Sequence, residues 1–470
     1  MASTFAGIEV ASRALRANQT IMSTLGHNLA NVNTPGYSRQ VVKIVTTDPY
    51  TLPSVNEPRP GQMGTGVDVA GISRIVDPFI DQRVANGLAV QGSFQKTRDL
   101  LTRVETSLGE PSESGISNQL QQFFNRLQDL SRNPESGAVR ATVVQQAGAL
   151  ARRFNQVWSE LDAIAQDATQ QIATVVGEAN AVAKQVAVLN KEIVASVGVG
   201  DVPNDLMDRR DELLRRLSTL VGATYRVDRN GSGNSNGSVS VFVNGTPLVL
   251  GEDAFRLPTD AAYVGSVPQL TDGTTFTPLT GGQAHGMLVA AAMVAGYRDQ
   301  VNIVATTLIN RVNELHRGGY GLDNVSGRDF FAGSDAGSIR VDAGILADSN
   351  TIAAASPPAP GYPMAPGNGQ NALAMAQIAN EALLGSFTIS GYYTDKISKI
   401  GADSQSYQNQ SANQDGVVVQ LGNLRSQISG VSLDEEMSQM LQYQRSYQAS
   451  ARYLTVVDEM LNTVINQMGR

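Results

Sequence analysis

Apolar residues near the start of the chain recur at alternate steps of three and four: Ile8, Ala11, Leu15, Asn18, Met22, Leu25, Leu29 and Val32. That spacing is a heptad seam, which predicts a helix with one face shaped for a helical partner. The last forty residues repeat it through Leu433, Met437, Met440, Gln444, Tyr447, Ala451, Leu454, Asp458, Leu461, Ile465 and Met468. Single polar residues at seam positions, here Asn18, Gln444 and Asp458, fix register in a coiled coil at some cost in stability. From spacing alone, an ordinary amphipathic core helix fits each stretch as well as a coiled coil does.

More helical stripes lie between. Phe94, Thr97, Leu101, Val104 and Leu108 form one, and Ile116, Leu120, Phe123, Leu127 and Leu130 another. A third is predicted to open at an Asn133-Pro134 cap and to run from Val143 to Ile164, slipping phase at Ala168 and resuming from Ile172 to Ile193. A helix of about 50 residues is about 75 Å long, so the expectation is an elongated rod, with a junction near Gly177 as the alternative to one unbroken helix. After an Asn204-Asp205 cap signal, Leu206 to Leu220 reads as a charged helix stopped by Gly222.

From Thr224 to about Thr280 the period changes to short alternating runs rich in Val, Thr, Tyr and Phe, and Asn244-Gly245 marks a two-residue hairpin turn. Helical spacing returns at Tyr297, Val301, Val304, Leu308, Val312 and Leu315. A β-like patch covers 329–348, and five prolines make 353–371 a loop. The predicted fold is mainly α with an inserted small antiparallel β domain. Terminal coiled-coil segments 1–32 and 433–470 come together at one end. A helical rod domain spans 33–222 and 287–432, and an outer β domain spans 223–286.

Composition narrows the function. With 470 residues the chain exceeds the size of a single core, and a mean hydropathy of -0.14 with 17% charged residues describes a folded protein. A net charge of -8 without a basic run argues against nucleic acid. The absence of cysteine removes thiol catalysis, cysteine-ligated metals and disulfides. The uncharged apolar stretch Met287 to Gly296 is about half of what a bilayer span needs, so no membrane span is expected. The start lacks the basic and apolar regions of a cleavable secretory signal.

Candidate chemistry is sparse. None of the three histidines has metal-like spacing. His27 reads as the polar flank of the first seam, His285 sits in a glycine-rich turn, and His316 precedes two glycines where a partly positive imidazole suits a helix C-terminus. Gly233-Asn234-Ser235-Asn236-Gly237 matches the nucleophile-elbow pattern, but that motif needs a strand before it and a helix after it. Asp434, Glu435 and Glu436 open the last helix, where carboxylates favour the positive dipole end. No catalytic residue, metal or cofactor is assigned.

Particular strings then carry a resemblance. Asn31-Val32-Asn33-Thr34-Pro35-Gly36-Tyr37 after the first seam is similar to the signature of bacterial flagellar axial proteins, and Tyr443 to Arg452 is similar to their C-terminal one. Gly109-Glu110-Pro111, Asn133 to Ser136, Pro203 to Asp211 and Val312 to His316 resemble the hook-associated protein 1 family. That resemblance implies a structural adaptor at the hook–filament junction. It further implies export uncleaved through the flagellar type III apparatus and assembly as a ring through terminal helices that order on assembly. Implied partners are the hook protein, the second junction protein, further copies of the chain and an export chaperone at the C-terminal helix. The implied assembly residues are Ile8, Leu15, Asn18, Met22, Leu25 and Leu29 with Leu433, Met437, Met440, Gln444, Tyr447, Ala451, Leu454, Asp458, Leu461 and Ile465. A hook or distal rod protein stays open as an alternative. So does a flagellum-exported adhesin or hydrolase acting through 223–286.

Overall fold

The computed structural model describes residues 6–49, 64–231, 233, 235–264, 267–273, 276–357 and 365–467. Met468 and part of the proline-rich loop lie outside them, as does the side chain of Ile465. In chain order, α1 is Ala6–Ala30, β1 Gln40–Thr46, β2 Val67–Arg74, α2 Pro78–Leu108, α3 Ile116–Arg132, α4 Gly137–Gly198 and α5 Asn204–Val221. Then follow β3 Thr224–Arg229, β4 Ser235–Val243, β5 Thr246–Leu250, β6 Asp253–Ala254, β7 Asp260–Val264, β8 Val267–Thr271 and β9 Phe276–Pro278. The rest is α6 Gly282–Gly318, β10 Phe331–Ala332, β11 Arg340–Val341, α7 Ala343–Ala347, α8 Gln370–Gln377, α9 Ile389–Ser429 and α10 Leu433–Gln467. The fold is mainly α with small antiparallel sheets.

Two compact units divide the chain. The first holds 1–90, 178–257 and 415–470, and the second 91–177 and 258–414. The stretch 223–286, expected as one inserted β domain, forms two sheets, β3-β4-β5-β6 in the first unit and β7-β8-β9 in the second. The break has a local cause. Asn180 takes both backbone groups of Leu257, donating to its carbonyl at 3.0 Å and accepting its N–H at 2.8 Å. Pro258 then has no N–H with which to continue a ladder. Asn190 holds the first sheet in the same way, donating to Val239 O at 2.8 Å and Gly251 O at 2.6 Å. The expected Asn244-Gly245 turn is present, with both residues at positive φ and Val243 paired to Thr246.

Several boundaries differ from the sequence expectation. The third stripe is one unbroken 62-residue α4 through Ala168 and Gly177, because the buried stripe continues with Ala168, Ile172 and Val176. It starts after Ser136, whose hydroxyl accepts from Val139 N, while Asn133 ends α3 instead of capping α4. By length and composition α4 could cross a membrane, but most of that window is buried in the protein. At α5 the N-cap is Pro203, since the Asn204 amide is drawn to Ile72 O at 3.0 Å. Gly222 ends the helix in the left-handed region, as expected. α6 begins at Gly282, ahead of the visible stripe, and its first turns pass so close to α2 that a Cβ at Gly286 would lie 2.2 Å from Ser93 O. The β-like patch at 329–348 yields only the two-residue strands β10 and β11, with α7 beyond them.

The core of the second unit is aromatic. Phe330 and Phe331 meet edge to face at 4.9 Å between centroids and both pack on Phe123. His316 closes this cluster and is wholly buried. Its Nε2 accepts from Ala353 N at 2.9 Å, so Nδ1 carries the proton and donates to Arg328 O at 2.8 Å. The ring is therefore neutral and does not serve as the dipole-complementing cation expected from sequence. Burial holds its pKa below the ordinary value of 6.5. Between about pH 6.5 and the folded pKa, the unfolded chain binds a proton that folded His316 does not, so stability falls as pH drops. A His316→Gln chain keeps a donor and an acceptor but cannot titrate. The wild-type-minus-variant unfolding free energy, read by urea titration, should be flat above about pH 7 and decline below about 6.5. A difference flat throughout would refute the assignment.

Candidate functional site

α1 and α10 pair antiparallel within the first unit. Asn28 Nδ2 donates to Glu436 Oε2 at 2.9 Å, Asn18 Nδ2 donates to Ser446 Oγ at 3.1 Å, and Gly7 lies against Tyr453 and Val457. Each step back along α1 thus matches an equal step forward along α10.

The predicted seams meet through only part of their positions. On α1, Ala11, Asn18 and Leu25 are buried together with Ala17, Ile21, Thr24 and Asn28. Ile8, Leu15, Met22 and Leu29 stay half-buried at the edge. On α10 the inward stripe is Glu436, Met440, Tyr443, Ser450, Leu454, Val457 and Leu461, with Ala451 half-buried beside it. Leu433, Met437, Gln444, Tyr447 and Asp458 are exposed. Both helices are therefore rotated by part of a turn from the expected seam. The cause is the polar pair Asn28 and Glu436, which must face each other and turns the helices to do so.

Asn28 is the hub of a buried network. Its Nδ2 donates to Gln40 O and Glu436 Oε2, both at 2.9 Å, while its Oδ1 accepts from Tyr37 OH at 2.8 Å and Gln40 N at 3.0 Å. That is the full hydrogen-bonding capacity of a primary amide. Glu436 is wholly buried and its Oε1 lies 2.7 Å from Arg39 Nε, while Arg39 Nη1 reaches the exposed Glu435 at 3.1 Å. Glu436 is thus a buried ionic partner, beyond the helix-dipole role read from its position in the first turn.

The loop after α1 is built by its own residues. Asn31 Nδ2 donates to His27 O, Thr34 Oγ1 donates to Asn31 Oδ1, and Tyr37 N donates to Thr34 O. Asn33 and Pro35 are exposed. Gly36 has φ +82, and a Cβ there would lie 3.0 Å from both Arg215 and Glu212, so two constraints select glycine. Arg425 ties the loop down, donating to Gly36 O at 3.2 Å and to Asp81 at 2.8 Å. Burial, with Asp205, Asp208 and Glu436 nearby, raises the Tyr37 pKa above its ordinary value, so the phenol remains a donor. His27 Nδ1 is 3.1 Å from Tyr37 OH.

α5 supplies the opposite wall. Asp208 accepts from Ser38 N and Arg74, Asp211 accepts from Arg74 at 2.6 Å, and Asp205 accepts from Gln40 Nε2 at 2.7 Å. Burial works against the Arg74 charge, but Asp211 and Asp208 hold its pKa above the ordinary value. Loop and helix enclose a groove of about 430 Å3 lined by Asn31, Pro35, Tyr37, Asp205, Arg209 and Glu212, among others. Among the described residues no cluster suited to a metal is present. Ser235 opens strand β4, and its hydroxyl accepts from Gly237 N, where a nucleophile elbow would need a helix. The arrangement offers helix faces and a groove for contacts. Sequence reasoning missed Asn28, Arg39, Glu436 and the Asp205/Asp208/Asp211 row; the three-residue spacing of those aspartates was the one legible signal.

Comparison with known proteins adds three kinds of likeness. Residues 101–331 match the model of the flagellar hook-associated protein FlgK helical domain. Residues 8–37 match the flagella basal body rod protein model, and 425–468 the flagellar basal body rod FlgEFG protein C-terminal model. The chain is 31% identical to flagellar hook-associated protein 1 of Bacillus subtilis (strain 168), over 100% of this chain and 99% of that one. It is 25% identical to the protein of that name in Escherichia coli (strain K12), over 98% and 99%. The solved structure of the flagellar hook junction protein FlgK from Burkholderia pseudomallei matches 74% of this chain and all of its own, with a TM-score of 0.62 at 18% identity.

Proposed function

The chain belongs to the flagellar hook-associated protein 1 family, and from that premise we propose that it is the adaptor joining hook to filament. Membership makes it a structural component of the bacterial flagellum. Export through the flagellar type III apparatus, an extracellular position, and ring assembly through α1 and α10 complete the proposal. Its partners are the hook protein, the second junction protein and further copies of itself. The terminal matches are shared with rod and hook proteins, whereas the match over 101–331 is to the hook-associated helical domain, which favours the junction over the hook.

One observation carries the assembly reading: the α1·α10 pair leaves half of each seam unused. Ile8, Leu15, Met22 and Leu29 lie at its edge, and Leu433, Met437, Gln444, Tyr447 and Asp458 face outward. Exposed apolar side chains grouped on one helix, here Leu433, Met437 and Tyr447, mark interaction surfaces on a folded protein. Neighbouring copies would cover them on assembly, and an export chaperone would cover α10 before it. The adaptor role involves no catalysis.

Deletion of the gene should leave hooks without filaments, seen by electron microscopy, with flagellin accumulating in the medium. The wild-type gene in trans should restore filaments. Absent hooks would move the protein to the hook or rod, and intact filaments would overturn the proposal.

A further inference from the structure

The outer face of α10, opposite the face seated on α1, has its own chemistry. Leu441, Arg445, Gln448, Arg452 and Val456 follow one another at steps of three and four, and all are exposed. Arg445 and Arg452 have no ion pair or hydrogen bond among the described residues. Two arginines one heptad apart thus stand unneutralised between apolar residues.

The groove beside α5 presents the complementary pattern at the same spacing. Asp205, Arg209 and Glu212 line it along one helix face. The Asp205 side chain is 65% exposed, with the His27 ring Nε2 at 3.7 Å. Glu212 is 52% exposed, and its Oε2 takes both bonds from Arg215, at 3.0 Å from Nε and 2.7 Å from Nη2. The third acid of the groove, Asp208, is only 7% exposed and is held by Arg74, so the carboxylates open to a partner are Asp205 and Glu212. Seven residues of helix span about 10.5 Å on either element. Two helices laid antiparallel therefore align both pairs at once, with the central residues also matched.

We propose that the outer face of α10 of one copy docks antiparallel on α5 of the next, Arg445 against Glu212, Gln448 against Arg209 and Arg452 against Asp205. The occupant is a second copy of this chain, argued from charge complementarity in matched register, and the proposal rests on the assembly reading above. Gln448 supplies the carbonyl that Arg209 needs, so the groove's arginine is satisfied and does not repel the incoming arginines. The two surfaces differ, which makes the contact heterologous. Such contacts repeat from copy to copy into a ring or helical array, and rim charges of this kind set register and partner choice.

The test exploits the absence of cysteine. In the deletion strain, one copy carrying Arg209→Cys and another carrying Gln448→Cys are produced together, and isolated hook–filament structures are oxidised. Both ion pairs remain in these chains. A disulfide-linked dimer of the two different copies is the expected result. It should be lost when Asp205→Arg and Glu212→Arg are added to the first copy, and regained when Arg445→Glu and Arg452→Glu are added to the second. A chain carrying Asn18→Cys and Ser446→Cys, whose side chains are 3.1 Å apart in the wild type, reports that oxidation reaches the assembled protein. Filaments present and this control oxidised, without the mixed dimer, would overturn the proposal. Should the cysteine chains not assemble, filament counts decide: charge reversal on either face should remove filaments and reversal on both restore them, and failure of the double reversal overturns it. Failure of the wild-type gene to restore filaments would instead strike the adaptor reading.

Discussion

Replacing Glu436 by alanine should detach α10 from α1, at a cost of about 3–5 kcal/mol, the range for removing one partner of a buried ion pair. The carboxylate is wholly buried between Arg39 at 2.7 Å and Asn28 at 2.9 Å. Without it, Arg39 keeps only the exposed Glu435, and the Asn28 amide loses one of its two acceptors. The rest of the pairing face is too thin to absorb that loss, since Leu461, still 8% exposed, is the one buried apolar side chain described on α10. Hydrogen exchange of α1 and α10 amides in the full chain is the direct readout, and should accelerate in both helices together. Glu436→Gln keeps an acceptor for Asn28 but not the charge for Arg39, so its effect should fall between wild type and alanine. Unchanged exchange in Glu436→Ala would mean that the helices are held by packing alone.

In the second unit the corresponding change is Arg140→Met, expected to cost about 3–5 kcal/mol by leaving buried acceptors unpaired. Arg140 is 1% exposed near the start of α4. It donates from Nε to Pro134 O at 2.7 Å and from Nη1 to Ile352 O at 2.8 Å, with Ser349 O and Asn350 O at 3.3 Å. It touches no carboxylate, and burial lowers its pKa to about 10 against the opposing field of Asp323 and Asp348. The charge itself is thus costly, while the fan of donors closes the turn at 349–352 onto α4. Methionine fills much of the volume and removes every donor. Urea unfolding followed by the fluorescence of Trp158, also on α4 in this unit, should show an earlier midpoint. Arg140→Lys should recover little, because a single ammonium cannot span four carbonyls arranged for a planar fork. A midpoint unmoved in Arg140→Met would mean that solvent satisfies those carbonyls.

What the sequence by itself determined were elements set by a long local period or a glycine turn. The heptad spacing placed α1 and α10, Gly222 ended α5, and Asn244-Gly245 formed its hairpin, because each signal is confined to a few neighbouring residues. The strings at Asn31 to Tyr37 and Pro203 to Asp211 carried the family, and in the structure they form two walls of one groove. What only the tertiary structure decided was which partners the polar groups take. Asn28 and Glu436 lie far apart in sequence, and no periodicity says that an asparagine beside the seam meets a carboxylate in the first turn of another helix. Their pairing rotates both helices and leaves part of each seam outside. His316 likewise reads as a partly positive group at a helix C-terminus until Ala353 N and Arg328 O take its two nitrogens. The physical reason is the same in each case. Hydrophobic patterning states which face is buried, but a buried polar group must find a complementary one, and only the folded chain brings that group within reach.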